Sequence, residues 1–383
     1  MDLFDDKATG ALAGAAVGDA LGGAAEGNTA EAIQERYNGF ITGLVPPFLD
    51  DWRNARPIAP YHKGDGHVTD DTLMTTALVE VYDTVRDHLG AYAIAEHLVP
   101  LLIGERRWIP ELEDEALLLH RIFLAEKWLV ARLHYGHIDP REAGVGNIVN
   151  CGAAMYAAPI GIVNAGAPDA AYAEAIDIAG AHQSSYGREA AGVYAAAVAE
   201  AMRPGATVGS VVDTSLRLAK DGTRNAIEAV LDVAAATSDW RGSLRDLRDA
   251  VAPFDTVGPN YRAPAMDARI PSRTKSIEEL PIALGMFVAA SGEYRESVLG
   301  AINYGRDSDS IAVMAGSLAG AMGGLAVVPG EWVDGVNAGS RMDVRATGPT
   351  IASAARDIWA KDAARAASVG DARSHFGVTA GAL

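Results

Sequence analysis

Apolar residues recur along this chain at steps of three and four, and that spacing predicts helices. Leu118, Ile122, Ala125, Leu129 and Leu133 fall on one face of a single helical stretch. Comparable patterns run over 169–181, 187–202, 208–220, 224–236, 277–291, 294–304, 309–322 and 351–366. Long alternating runs of the strand type are missing, so the pattern predicts an all-α, compact, single-domain multi-helix globule. Two helices carry glycine at every fourth position, Gly10, Gly14, Gly18 and Gly22 in one and Gly316, Gly320 and Gly324 in the other. Glycine inside a helix costs about 1 kcal/mol against alanine. The two columns therefore predict close backbone approach between helices packed at the centre of the molecule. Stretches 46–66 and 253–276 are rich in proline and polar residues, and such lengths suit the rims or lids of sites. No linker divides the chain; 1–367 reads as one helical domain and 368–383 as a polar, flexible tail.

Composition narrows the partners. The 383 residues are 49% hydrophobic and 21% charged, enough to bury a large core. Asp and Glu number 50 against 32 Lys and Arg, a net charge of −18. That balance argues against nucleic acid, whose binding needs a basic surface. Cys151 is the sole cysteine, so no intrachain disulfide is expected, and the acidic start lacks the basic opening of a signal peptide. The small-residue run from Ala8 to Ala25 is interrupted by Asp19 and too glycine-rich for a membrane span. These features predict a cytoplasmic protein with neither nucleic acid nor membrane as partner; they leave the oligomeric state open.

The candidate chemistry lies in two short acidic clusters, Thr69-Asp70-Asp71-Thr72 and Asp307-Ser308-Asp309-Ser310. Each precedes an apolar helical run, and taken singly each reads as a helix N-cap. One aspartate would serve for capping, whereas adjacent carboxylates repel each other unless a positive charge stands between them. Four carboxylates with flanking hydroxyls are hard oxygen donors suited to Mg²⁺, Mn²⁺ or Ca²⁺. If the fold joins the clusters, their charge balances two divalent cations, a recurring hydrolytic arrangement.

In order along the chain, Gly14–Gly22 followed by Glu26, Thr69–Thr72, Met155–Gly161, Ala181-His182 and Tyr304–Ala312 resemble the ADP-ribosylglycohydrolase family. The resemblance implies an all-helical fold with a central cleft holding two divalent cations, Mg²⁺ or Mn²⁺. It assigns Thr69, Asp70, Asp71, Asp307, Asp309 and Ser310 as metal ligands, with Glu26, as a general acid/base or a mobile metal ligand, and Asp309 as catalytic groups. It implies substrate contacts from Asn150, Cys151, Gly152, Ala153, Tyr156 and His182. The activity implied is hydrolysis of an N- or O-glycosidic bond at the anomeric carbon of an ADP-ribosyl group, carried by a small molecule or a protein.

Two positions depart from the family pattern. Cys151 stands where an asparagine is common, and Tyr156 where an arginine is common. An amide and a guanidinium suit ribose hydroxyls and phosphate, so their loss suggests a smaller ribosylated metabolite, a nucleoside or nucleotide, as the alternative substrate. Arg188 or Arg306 would then supply an anion contact. A non-catalytic, crystallin-like role and a phosphohydrolase built on the same metals are the remaining alternatives. Asp19, a charge inside a Gly/Ala helix, reads as an orienter of a metal ligand or of a basic partner, or as half of a buried ion pair.

Overall fold

The two glycine columns meet. In the computed structural model, which describes residues 2–55, 62–109, 114–237, 239–255 and 276–376, helices Leu3–Gly23 and Ser308–Gly323 pack antiparallel along their lengths. A Cβ placed on Gly14 would lie 2.7 Å from the Gly316 carbonyl oxygen, and one on Gly22 would lie 2.5 Å from that of Ser308. Backbone touches backbone here, with no side chain between. Both helices are buried over most of their circumference, which is why their apolar residues show no single face.

Antiparallel packing sets the C-terminal end of the first helix beside the N-terminal end of the second. Ser308 Oγ donates to the Gly22 carbonyl at 2.9 Å, and Tyr294 Oη donates to that of Gly14 at 2.9 Å. Helices Glu279–Ala289, Tyr294–Tyr304 and Ser185–Ala201 pack on Ser308–Gly323, and helix Thr347–Ser374 packs on Leu3–Gly23. No described helix is long and apolar enough to cross a membrane.

Most helices fall where the periodicity predicts. Tyr294–Tyr304 matches residue for residue, and the last helix extends past its predicted 351–366 to Thr347–Ser374, with its final turns exposed. The stripe from Leu118 to Leu133 departs from expectation. All five apolar residues are buried, yet the chain forms a 3₁₀ turn at Leu118–His120, an α-helix at Leu124–Leu129 and a π-helix at Val130–Tyr135. The break has a tertiary cause: the Phe123 N–H donates to Asp70 Oδ2 at 2.9 Å, with Phe123 extended at φ −72° and ψ 173°. A two-stranded antiparallel sheet, Arg106–Ile109 against Asp114–Leu117, also interrupts the helices. Its four-residue strands are too short to print an alternation in the sequence. Of the two long predicted loops, 46–66 is described except for 56–61 and contains the short helix Trp52–Ala55; 256–275 lie outside the described residues.

His88 ties three segments together. Its Nδ1 lies 2.6 Å from Glu174 Oε2 and its Nε2 lies 3.0 Å from Asp362 Oδ2. The Glu174 hydrogen bond leads in raising the imidazole to about 9. A raised histidine stabilises the fold fully below the unfolded value near 6.5 and loses that contribution as pH climbs through the folded value. His88→Gln is therefore expected to lower the thermal midpoint at pH 6 and to leave it nearly unchanged at pH 10.5, which a melting series would show.

Candidate metal centre and substrate cleft

Asp19 organises the first acidic cluster. It is fully buried, and its carboxylate accepts from the backbone N–H of Thr69 at 2.9 Å and of Thr72 at 3.1 Å. It also accepts from Thr69 Oγ1 at 2.7 Å and Thr72 Oγ1 at 2.5 Å. These four donors answer the ambiguity left by the sequence: Asp19 orients Thr69 and the start of helix Asp70–Val85. Because the Thr69 hydroxyl proton points at Asp19, its lone pairs face the other way, toward Asp71, whose N–H lies 3.3 Å from Thr69 Oγ1.

The second cluster arrives from across the glycine seam. Ser310 Oγ donates to Asp71 Oδ1 at 3.0 Å, joining residues 239 positions apart. Asp309 is buried and accepts from the Ser310 N–H at 3.0 Å. Asp307 is the N-cap residue of helix Ser308–Gly323, but its side chain makes no capping hydrogen bond. It is turned instead toward Cys151, whose Sγ lies 3.5 Å from Asp307 Oδ2 and 3.4 Å from Ser310 Oγ. Burial, followed by repulsion from Asp19, Asp70 and Asp307, pushes Asp71 well above the ordinary carboxylate range. Burial and then Glu26, Asp71 and Asp307 do the same to Asp309. Asp70 diverges from Asp71 toward Phe123; burial and the nearby Glu126 raise it to about 8.

Glu26 follows the end of the N-terminal helix and is half-buried, not a freely solvated glutamate. Its Oε2 lies 2.6 Å from His62 Nε2. One ligand atom each from Glu26, His62 and Asp309 lie within 4.8 Å of one another, and so do atoms of Cys151, Glu279 and Asp307. The donors fit divalent cations: buried carboxylates crowd together, their charged forms disfavoured by one another, with hydroxyls beside them.

A turn at 150–153 lies beside the centre. Asn150 caps it, its Oδ1 accepting from the Gly152 N–H at 3.1 Å and from Gln183 Nε2 at 2.7 Å. Cys151, Gly152 and Ala153 are buried. Tyr156 and His182 lie behind this turn rather than open to the surface, with exposures of 1% and 0%. Tyr156 Oη and His182 Nδ1 are 3.0 Å apart and the rings stack. Burial is the main cause raising the Tyr156 phenol far above its usual value, so it stays protonated. Arg306 is buried in ion pairs with Asp255 and Glu278, which commit its guanidinium to the protein itself, and Arg188 Nε donates to the Ile176 carbonyl.

Three acidic or basic groups near the site escaped the sequence reading. His62 was one of several polar residues in a loop, with no periodicity to single it out. Glu126 had a signal: it stands four residues after Ile122, on the buried face. A Cβ on Gly152 would collide with Glu126 Oε1, and neither Glu126 oxygen accepts a hydrogen bond among the described residues. Glu279, fully buried, lies within one helical run that reads as purely apolar packing.

The helical fold is wound round a seam of two helices, with carboxylates gathered at one end of that seam. Residues 1–367 match the family described as ADP-ribosylglycohydrolase, and the chain belongs to that family. It is 28% identical over 337 residues to an uncharacterized protein of Archaeoglobus fulgidus, covering 87% of this chain and 92% of the relative. It is 26% identical over 343 residues to the ADP-ribosylarginine hydrolase Tri1 of Pseudomonas putida, covering 86% of this chain and 74% of that one. A solved ADP-ribosylglycohydrolase-related protein complex contains a chain with the same fold, at TM-score 0.60 and 20% identity, covering 93% of this chain and 100% of that one. The family supports hydrolase activity of the ADP-ribosylglycohydrolase type.

Proposed function

We propose that this protein is a metal-dependent glycohydrolase that cleaves the N- or O-glycosidic bond at the anomeric carbon of an ADP-ribosyl group. The observation that carries the reading is the Ser310–Asp71 hydrogen bond, which unites two acidic clusters into one buried, self-repelling set of oxygen donors. Thr69, Asp70, Asp71, Asp307, Asp309 and Ser310 would hold two divalent cations, Mg²⁺ or Mn²⁺. When bound, such ions neutralise the carboxylates, engage ribose hydroxyls and lower the pKa of water.

The chain's own residues supply the rest. Glu26, kept in place by His62, takes the proton of the attacking water as its oxygen bonds to the anomeric carbon. The glycosidic bond breaks through an oxocarbenium-like state, and the leaving group departs with the proton that Glu26 took from the water. Asp309, within 4.8 Å of Glu26, completes the catalytic pair. Asn150 has its oxygen occupied by Gly152 and Gln183, which leaves Nδ2 to donate to a substrate hydroxyl. The small residues Cys151, Gly152 and Ala153 let the ribose approach, while Tyr156 and His182 brace that wall from behind.

A smaller ribosylated metabolite is the second reading. It is favoured by Tyr156, which stands where the family commonly has arginine and is buried with its hydroxyl paired to His182. Mass-spectrometric product analysis separates the two. With Mg²⁺ or Mn²⁺, wild-type protein is expected to release ADP-ribose from ADP-ribosyl-arginine or -serine peptides or from O-acetyl-ADP-ribose. Asp309→Asn is expected to lose about 10²-fold or more of that rate. Release of a nucleobase from nucleosides or nucleotides instead would establish the smaller substrate. No turnover of any compound would return the chain to a non-catalytic role.

A further inference from the structure

We propose that His62 is a nitrogen ligand of the metal centre, and that the centre consequently prefers Mn²⁺ or another transition ion to Mg²⁺. The inference deepens the reading above and rests on it.

His62 Nδ1 lies 3.1 Å from the Gly23 carbonyl oxygen. A carbonyl only accepts, so Nδ1 carries a proton, and in the neutral imidazole Nε2 presents its lone pair. Histidines that bind metals are held in this manner, one ring N–H on a carbonyl or carboxylate and the other nitrogen on the ion. The carbonyl belongs to the last residue of the N-terminal helix, whose position is set by the glycine seam. The imidazole is therefore fixed to the same rigid element that presents Asp19.

The other nitrogen faces the carboxylates. Nε2 is 2.6 Å from Glu26 Oε2, and both share a 4.8 Å cluster with Asp309. A lone pair opposed to a carboxylate oxygen at that distance requires a positive charge between or beside them, either a proton or a cation. Three separate segments supply the donors: the end of the N-terminal helix, the loop before Thr69 and the start of helix Ser308–Gly323. Mg²⁺ prefers oxygen and gives up water reluctantly, whereas imidazole suits Fe²⁺, Ni²⁺ and Zn²⁺, and Mn²⁺, at home among oxygen donors, takes a nitrogen more readily than Mg²⁺ does. One nitrogen among oxygen donors shifts the choice toward those ions.

Pulsed electron paramagnetic resonance on the full-length protein loaded with Mn²⁺ alone tests this. The expected result is a directly coordinated ¹⁴N signal that becomes a ¹⁵N signal when only histidine is ¹⁵N-labelled. His62→Gln should lose that coupling and bind Mn²⁺ about tenfold or more weakly, since even the outer partners of metal ligands contribute that much. Its Mg²⁺ affinity should change less than about twofold, because Mg²⁺ draws on the oxygen donors. The labelling arm needs no variant and stands even if His62→Gln fails to fold. Mn²⁺ bound without nitrogen coupling would overturn the proposal and leave the oxygen-donor centre intact, with a proton bridging His62 and Glu26. Coupling that persists unchanged in a folded His62→Gln protein would also overturn it. Failure to bind Mn²⁺ at all would remove the metal centre itself.

Discussion

Gly14→Leu is expected to leave little folded protein. A Cβ at this position would lie 2.7 Å from the Gly316 carbonyl oxygen and 2.9 Å from Tyr294 Cε2, and leucine adds three more carbons beyond it. The obstacle is backbone that belongs to a buried helix and has nowhere to rotate. Tyr294 cannot yield cheaply either, because its hydroxyl is hydrogen-bonded to the Gly14 carbonyl. Overpacking in a core costs about 1–3 kcal/mol and more where backbone blocks relaxation, against a total stability of about 5–15 kcal/mol. Soluble yield and the urea midpoint would register the loss. Gly370→Ala is the matched control: it sits in the exposed part of the last helix with open space around its Cβ position. It should gain about 0.5–1 kcal/mol through the better helix propensity of alanine. A Gly14→Leu protein as stable as wild type would mean the helices do not meet backbone to backbone.

Asp71→Asn is expected to move activity and metal-free stability in opposite directions. In the absence of cations Asp71 is buried among Asp19, Asp70 and Asp307, which all disfavour its charge. Removing that charge relieves the repulsion, while the amide oxygen still accepts from Ser310 Oγ. The metal-free variant should melt about 1 °C or more above wild type, the shift that roughly 1 kcal/mol produces in a chain of this size. With Mn²⁺ or Mg²⁺ the order should reverse, since ligand binding stabilises only the protein that binds it. Turnover should fall about 10²-fold or more. Four melting curves, each protein with and without metal, decide the matter. A variant that is destabilised without metal would show that Asp71 serves the fold and not a cation.

The site was legible to different degrees, for reasons visible in individual residues. The acidic clusters stood out because paired aspartates at a helix start exceed what capping needs, and the two clusters do meet. The glycine columns foretold their own packing, since periodic glycine is costly unless backbones touch. His62 was illegible: its role depends on the placement of a carbonyl 39 residues away, and no local pattern encodes that. The interruption at Phe123 was hidden for the same reason, because a distant carboxylate takes its N–H. Tyr156 and His182 show the complementary limit. Their motif marks them as near the cleft, while packing turns both rings inward against each other. Periodicity reports which face is buried; it does not report which buried group looks into a cavity.

The glycine seam also fixes when in the life of the chain the centre comes into being. During synthesis the N-terminal helix, Glu26 and Thr69–Asp71 leave the ribosome early, but they remain half a centre. Their counterpart, Asp307–Ser310, emerges only 236 residues after Asp71. Until then the early aspartates have neither the second helix to pack against nor the carboxylates that complete their charge. On the metal-dependent reading proposed above, a nascent chain would thus not trap metal in a finished pocket before its core exists. The protein matures its chemistry in the same event that closes its fold.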